Sequence, residues 1–355
     1  MRSNNMDEIP LVMRAVRLVG HGGLEQLEFR SDVSLPVLGR GEVLIHVAAA
    51  GINNTDINTR VGWYSKGDAD KQDASWGGGA ISFPRIQGAD ICGRVVAVGA
   101  GADTGLIGDR VLVEPCLREA NGTQLLSPWY IGSECDGGFA EYVAVAARHA
   151  YSVNSSLSDC ELASFPCAYS TAENMLKRAS VSGSDIVLIT GASGGVGSAA
   201  IQLAKSRGAT VIAVAASPKL QSVLEVGADR VVERGSSLIA QIGADAVDVV
   251  IDLVGGPEWP DLLEVLRPFG RYAVSGAIAG AIVDLDLRTL YLKDQRFFGC
   301  TVIDDGVFSR LVELIERHAI KPLVAGVFPL ERLREAQEVF ISKQFTGKLV
   351  IDMVL

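Results

Sequence analysis

Metal-ligating side chains are scarce and scattered in this chain. Four histidines (His21, His46, His149, His318) and six cysteines (Cys92, Cys116, Cys135, Cys160, Cys167, Cys300) are spread over 355 residues. No two cysteines have C-x-x-C spacing, so neither a disulfide framework nor a zinc knuckle is written here. No stretch offers about 20 uninterrupted apolar residues for a membrane span. Positive charge is also short: 32 basic residues face 42 acidic ones, a net charge of -10. Such a surface has no general attraction for phosphate backbones or anionic membranes, so no nucleic-acid or membrane partner is expected. The opening MRSNNMDEIPLVMRAV lacks the basic start, apolar stretch and small-residue cleavage site of a secretory signal. The expected location is the cytoplasm.

What is present is an ordinary globular composition, 48% hydrophobic and 21% charged, with an excess of glycine, 39 residues. That excess calls for tight turns or close backbone approaches. The length suits roughly two domains. From Leu11 to Ala150 the chain reads as strands: EVLIHVAAA from Glu42, ICGRVVAVGAG from Ile91 and GDRVLVEP from Gly108 are β-branched runs bounded by glycine. Between them, Tyr64 to Pro84 is polar, glycine-rich and too long for a simple turn, so it is expected to be a surface loop. From Ser184 short apolar strands alternate with helical stretches, the signature of a parallel sheet covered by helices. After Cys300 come two amphipathic helical stretches and a last apolar strand, GKLVIDMVL.

The most specific local feature is the strand Ile186 to Thr190 running through Gly191-Ala192-Ser193-Gly194-Gly195-Val196-Gly197 into a helix. Ala192, Gly194 and Gly197 match the dinucleotide fingerprint with alanine at its first position. Gly194 and Gly195 would let the backbone approach a pyrophosphate at a helix N-terminus, and Gly197 would let the helix pack closely on the strand. A merely tight strand-to-helix turn is the plainer alternative, and the further β/α units favour the nucleotide. The acid that would bind the ribose hydroxyls of NAD about 20 residues on is missing. Strand two ends instead at Ser217-Pro218-Lys219, where a hydroxyl and a cation could hold the 2′-phosphate of NADP. Ser217 could equally cap the next helix, with Lys219 solvated.

Eight ordered motifs carry a family resemblance: AAGINNTDI at Ala49, PRIQGADICGRVVAVGAG at Pro84, GDRV at Gly108, DGGFAEYV at Asp136, CAYSTAENML at Cys167, GASGGVG at Gly191, LVGG at Leu253 and FTGKLVI at Phe345. With them the chain resembles the medium-chain dehydrogenase/reductases, the superfamily of zinc alcohol dehydrogenases and quinone oxidoreductases. The resemblance implies an α/β protein with a GroES-like β-rich catalytic domain, 1–168 with 303–355, and a Rossmann NADP-binding domain, 169–302. It also implies an active site in the interdomain cleft. The positions of the catalytic-zinc ligands correspond here to Asn53, Ala89 and Cys167, with Asp90 where that motif has glutamate. One ligand among three is a poor zinc site, so no metal is expected. Cys116 and Cys135 alone remain near the structural-zinc lobe.

Asn53 resembles the zinc-lacking quinone oxidoreductase branch, whereas Thr55 is a hydroxyl position typical of the zinc branch. Without a Lewis acid, hydride addition to a quinone or an α,β-unsaturated carbonyl is the expected reaction, since hydrogen-bond donors suffice for the distant oxygen. Asn53 is the expected amide donor, Thr55 an orienting or relay hydroxyl and Tyr64 an acid, and Thr171 faces the nicotinamide by similarity. Asn53 and Thr55 could instead simply cap a turn, and Asp56 could fix that loop's backbone. Trp63, Tyr64, Trp76 and Phe83 could line an apolar cleft or form a small core of their own. An alcohol or aldehyde dehydrogenase with an atypical metal site, and a silent nucleotide-binding sensor or scaffold, are the competing readings. The apolar run Phe297 to Val302 resembles an edge strand that pairs with a second subunit, so a homodimer is expected.

Overall fold

The computed structural model describes residues 9–65 and 75–355. The first eight residues of the opening segment and 66–74 of the glycine-rich insertion lie outside them. The chain divides into two compact units, Met1–Pro166 with Gly326–Ser342 and Leu349–Leu355, and Cys167–Ala325 with Lys343–Lys348.

The first unit is built on antiparallel strands. Its centre is Glu42–Gly51, paired with Asp90–Val98 along one edge and with Tyr142–Ala146 and Lys348–Asp352 along the other. A three-stranded sheet has Val12–Leu18 between Leu27–Ser34 and Arg85–Ile86. A third element is the hairpin Cys116–Ala120 and Thr123–Tyr130. Its two-residue turn is Asn121-Gly122, both at positive φ (50° and 68°), the geometry that matches the twist of a tight hairpin. This hairpin occupies the stretch the sequence presents only as a shortened insert, and the Asn-Gly pair is the signal for it.

The second unit holds a six-stranded parallel sheet. In spatial order its strands are Arg230–Glu233, Thr210–Ala215, Ile186–Ile189, Val247–Asp252, Leu266–Val274 and Arg296–Gly299. In chain order this is 3-2-1-4-5-6, the doubly wound Rossmann arrangement. The central strands are covered on both faces, which is why they are continuous runs such as VDVVID with every residue buried. Leu188, Val214, Val250, Leu262 and Leu263 form part of one core with Trp259 and Tyr272.

Residues 303–325 belong to this second unit, whereas the sequence reading returns to the first domain at 303. Local bonds account for the difference. The Asn174 amide donates to Val302 O at 3.1 Å and accepts from Asp304 N at 3.0 Å, and Arg178 pairs with Asp304 at 2.7 Å. These bonds fasten the segment to helix Pro166–Arg178, and helix Val307–Glu316 follows directly with Phe308, Leu311 and Ile315 buried.

Candidate functional site

In the second unit the strand ending at Ile189 turns through Gly191 (φ +58°) and enters helix Gly195–Ser206, with Gly194 as its cap residue. The turn is closed by Gly194 N donating to Gly191 O at 3.0 Å and joined to the next strand by Ala192 N donating to Val214 O at 3.1 Å. A Cβ at position 197 would lie 2.3 Å from Gly191 O and 2.6 Å from Ala192 Cα, so only glycine lets the helix sit this close. At Gly195 a Cβ would lie 2.8 Å from Cδ of Lys348. The buried stem of Lys348 therefore runs directly against the turn. Ser193 accepts through its carbonyl from Gly347 N at 3.2 Å, which holds segment 343–348 beside the fingerprint.

Ser217 is exposed and begins the short turn Ser217–Lys219, with Ala216 rather than Ser217 in the cap position. Lys219 is not a solvated cation. Its ammonium donates to the carbonyls of Lys343 (2.5 Å) and Phe345 (2.8 Å), leaving one N–H for another partner. Ser222 Oγ and Thr346 Oγ1, 2.9 Å apart, join the same two segments. Burial, then Arg234, lowers the pKa of Lys219. Burial, then Lys348 and Lys219, pushes that of Lys343 down to about 8. Three lysines thus gather beside a glycine turn and a helix N-terminus, surroundings in which an anion offsets their repulsion. Sequence reading missed Lys343 and Lys348. FTGKLVI contains the second, but nothing local announces that this distant segment returns to the fingerprint. Thr171 lies half-buried within helix Pro166–Arg178, close after Cys167 in its first turn.

In the first unit Asn53 caps the short helix Asn54–Arg60 in a reciprocal box. Its side chain accepts from the Asp56 backbone N–H, and its own N–H donates to Asp56 Oδ2 at 2.7 Å. Its amide nitrogen donates to Asp90 Oδ2 at 2.8 Å and makes a longer 3.4 Å contact to Gly51 O. Gly51 gives Asp90 its space, since a Cβ there would lie 2.6 Å from Asp90 Oδ2. Asp56 Oδ1 also accepts from Gly88 N at 3.2 Å, so Asp56 fixes backbone on both sides of the site. Thr55 and Tyr64 come together, the phenol donating to Thr55 Oγ1 at 3.2 Å. Nearby, His21 Nδ1 donates to Thr59 O at 2.8 Å, and the buried Arg60 guanidinium donates to Gly22 O and Gln337 Oε1.

The aromatics of the insertion do not form one cluster. Trp63 is about half exposed and meets Tyr64 edge-on at 5.5 Å, Trp76 packs on Tyr130 at 4.9 Å, and Phe83 meets His21 at 4.9 Å.

These features have counterparts in known proteins. Residues 39–155 match the alcohol dehydrogenase GroES-like domain, and residues 195–317 match the family described as zinc-binding dehydrogenase. The human quinone oxidoreductase is 28% identical over 96% of this chain and 98% of its own length. Acryloyl-coenzyme A reductase of Metallosphaera sedula is 30% identical over 96% of this chain and 99% of its own. A putative alcohol dehydrogenase of Sinorhizobium meliloti 1021 has a crystal structure with 46% identity, a TM-score of 0.88 and 98% coverage of both chains. The chain belongs to the medium-chain dehydrogenase/reductase family. It is an oxidoreductase of that family, whose members use a nicotinamide nucleotide.

The metal implied by the zinc-binding members does not fit the residues present. Ala89 ends in a fully buried methyl, and the Asn53 amide is occupied by its helix cap and Asp90. Among the described residues no three His, Cys, Asp or Glu side chains gather as a ligand set, and no helix is long and apolar enough to cross a membrane.

Proposed function

We propose that this dehydrogenase/reductase uses NADP(H) and transfers hydride to a quinone or to the β-carbon of an α,β-unsaturated carbonyl. One observation carries the reaction class: two of the three zinc-ligand positions hold a methyl and a capping amide, while the Tyr64 and Thr55 hydroxyls stay paired and half-buried beside them. Such a site offers hydrogen-bond donors to a developing oxyanion, which suffices when charge spreads along a conjugated system. The missing acid after strand Thr210–Ala215 and the three lysines around the glycine turn support the phosphorylated nucleotide.

In this reading Ala192 to Gly197 receive the pyrophosphate, Ser217, Lys219, Lys343 and Lys348 supply donors for phosphate, and Thr171 orients the nicotinamide. The bound nucleotide supplies the hydride. Tyr64 gives its proton to the substrate oxygen, and Thr55, the acceptor of that phenol in the resting protein, keeps it aimed. Asn53 sets the loop that carries both hydroxyls. The six cysteines form no disulfide, which suits a reducing cytoplasm. The edge strand Arg296–Gly299, with exposed Phe297, Tyr291 and Leu292, supports a homodimer, which a concentration-dependent mass measurement tests.

The functional test is nucleotide oxidation by chelator-treated protein across quinones, enones and aldehydes, with alcohols in reverse. NADPH turnover on quinones or enones without added metal is the expected result. Activity restored only by stoichiometric zinc would favour an alcohol or aldehyde dehydrogenase, and NADPH binding with no turnover a sensor or scaffold.

A further inference from the structure

A second polar centre lies at the C-terminal ends of the central strands of the nucleotide-binding unit. Asp252, fully buried, accepts four hydrogen bonds: from Thr190 Oγ1 (2.6 Å), Tyr272 Oη (2.6 Å), Val254 N (2.9 Å) and Gly255 N (3.2 Å). Thr190 Oγ1 in turn accepts from Leu253 N at 2.9 Å. Burial and the Asp252 carboxylate raise the Tyr272 pKa, so this phenol stays a donor. A carboxylate is costly to bury, and a sheet of apolar strands does not need one to stand. What these bonds fix is the turn Leu253 to Gly256, with Gly255 and Gly256 both at positive φ (61° and 77°). That turn touches the fingerprint, because a Cβ on Gly191 would lie 3.2 Å from Val254 Cγ2. It also carries the following segment, since Val254 O accepts from Ala279 N and Gly280 O from Gly256 N.

Sheet order tells which half of the nucleotide this turn meets. The glycine turn follows strand Ile186–Ile189, and in this fold the adenosine side of a bound nucleotide would lie over the neighbouring Thr210–Ala215. Strand Val247–Asp252 flanks the first strand on the opposite side, so its end would face the nicotinamide half. We infer that Asp252, with Thr190 and Tyr272, is a positioning centre for the nicotinamide half of the cofactor, holding the 253–256 turn in register with the glycine fingerprint. This rests on the nucleotide reading above.

The test compares whole and half cofactors on the full-length protein. In Asp252→Asn, and in the milder Thr190→Val and Tyr272→Phe, the Kd for NADPH should rise, by about tenfold for Asp252→Asn. The Kd for 2′,5′-ADP, which lacks the nicotinamide half, should stay within about twofold. A merely structural lesion weakens both ligands together. Equal weakening of the two, or unchanged NADPH binding in all three variants, overturns the inference. Should Asp252→Asn not fold, the other two variants decide. If the wild type prefers NADH and 5′-AMP, the choice of NADP is wrong, and the same comparison made with those two ligands still tests Asp252.

Discussion

The lysine cluster yields a pH signature that can be worked out in advance. Lys343 stands at about pKa 8 in the nucleotide-free protein, below an ordinary lysine, because it is buried and faces Lys348 and Lys219, the latter also near Arg234. An anion seated among these groups favours the ammonium and returns its pKa toward about 10.4. Binding therefore takes up a proton wherever pH lies between the two values. With 8 and about 10.4 as the limits, linkage gives roughly tenfold weaker NADPH binding at about pH 9 than at about pH 7. The 2′-phosphate itself loses its last proton near 6, so it is a dianion throughout that range and adds no slope. The empty protein behaves oppositely. Its folded state binds fewer protons than the unfolded chain between pH 8 and about 10.4, so its stability rises with pH across that window. Fluorescence titration with NADPH over this pH range, paired with thermal melts of the empty protein, measures both slopes. Lys343→Met should flatten both. A wild-type NADPH affinity that is constant over this range, or a slope undiminished in Lys343→Met, refutes the reasoning.

Three further outcomes follow from the geometry. Tyr64→Phe should lower kcat about 10- to 100-fold with little change in the KM for NADPH, and a loss below about twofold removes the phenol from the chemistry. Gly197→Ala places a methyl 2.3 Å from the Gly191 carbonyl and should weaken NADPH binding while costing about 1–3 kcal/mol of stability, read by calorimetry and urea unfolding. In the first unit, Arg118 N–H donates to His149 Nε2 at 2.9 Å, so Nδ1 carries the proton that reaches Glu114 at 2.8 Å. His149→Leu leaves a buried carboxyl without this donor and should cost roughly 2–4 kcal/mol, and an unchanged urea midpoint contradicts this.

Local pattern made the second unit legible. The alternation of apolar strands with helices and the glycine turn are short-range signals, and the 3-2-1-4-5-6 sheet follows from them. The first unit was legible as strands but not as partners, because antiparallel pairing across large separations, such as Val350 with Gly51, leaves little local trace. The same reason hid Lys343 and Lys348, which the return of a distant segment carries to the fingerprint. Asn53 shows a subtler limit. An asparagine before a short helix with aspartate three residues later carries a capping signal as much as a catalytic one, and the spacing alone does not choose. The side-chain bonds supply the cap: the amide engages Asp56 N and Asp90. The proposed reaction therefore draws its donor from a hydroxyl, which can re-aim its proton without breaking a cap. Among the sequence-named residues of this loop, Tyr64 and Thr55 supply such hydroxyls, the phenol donating to Thr55 Oγ1.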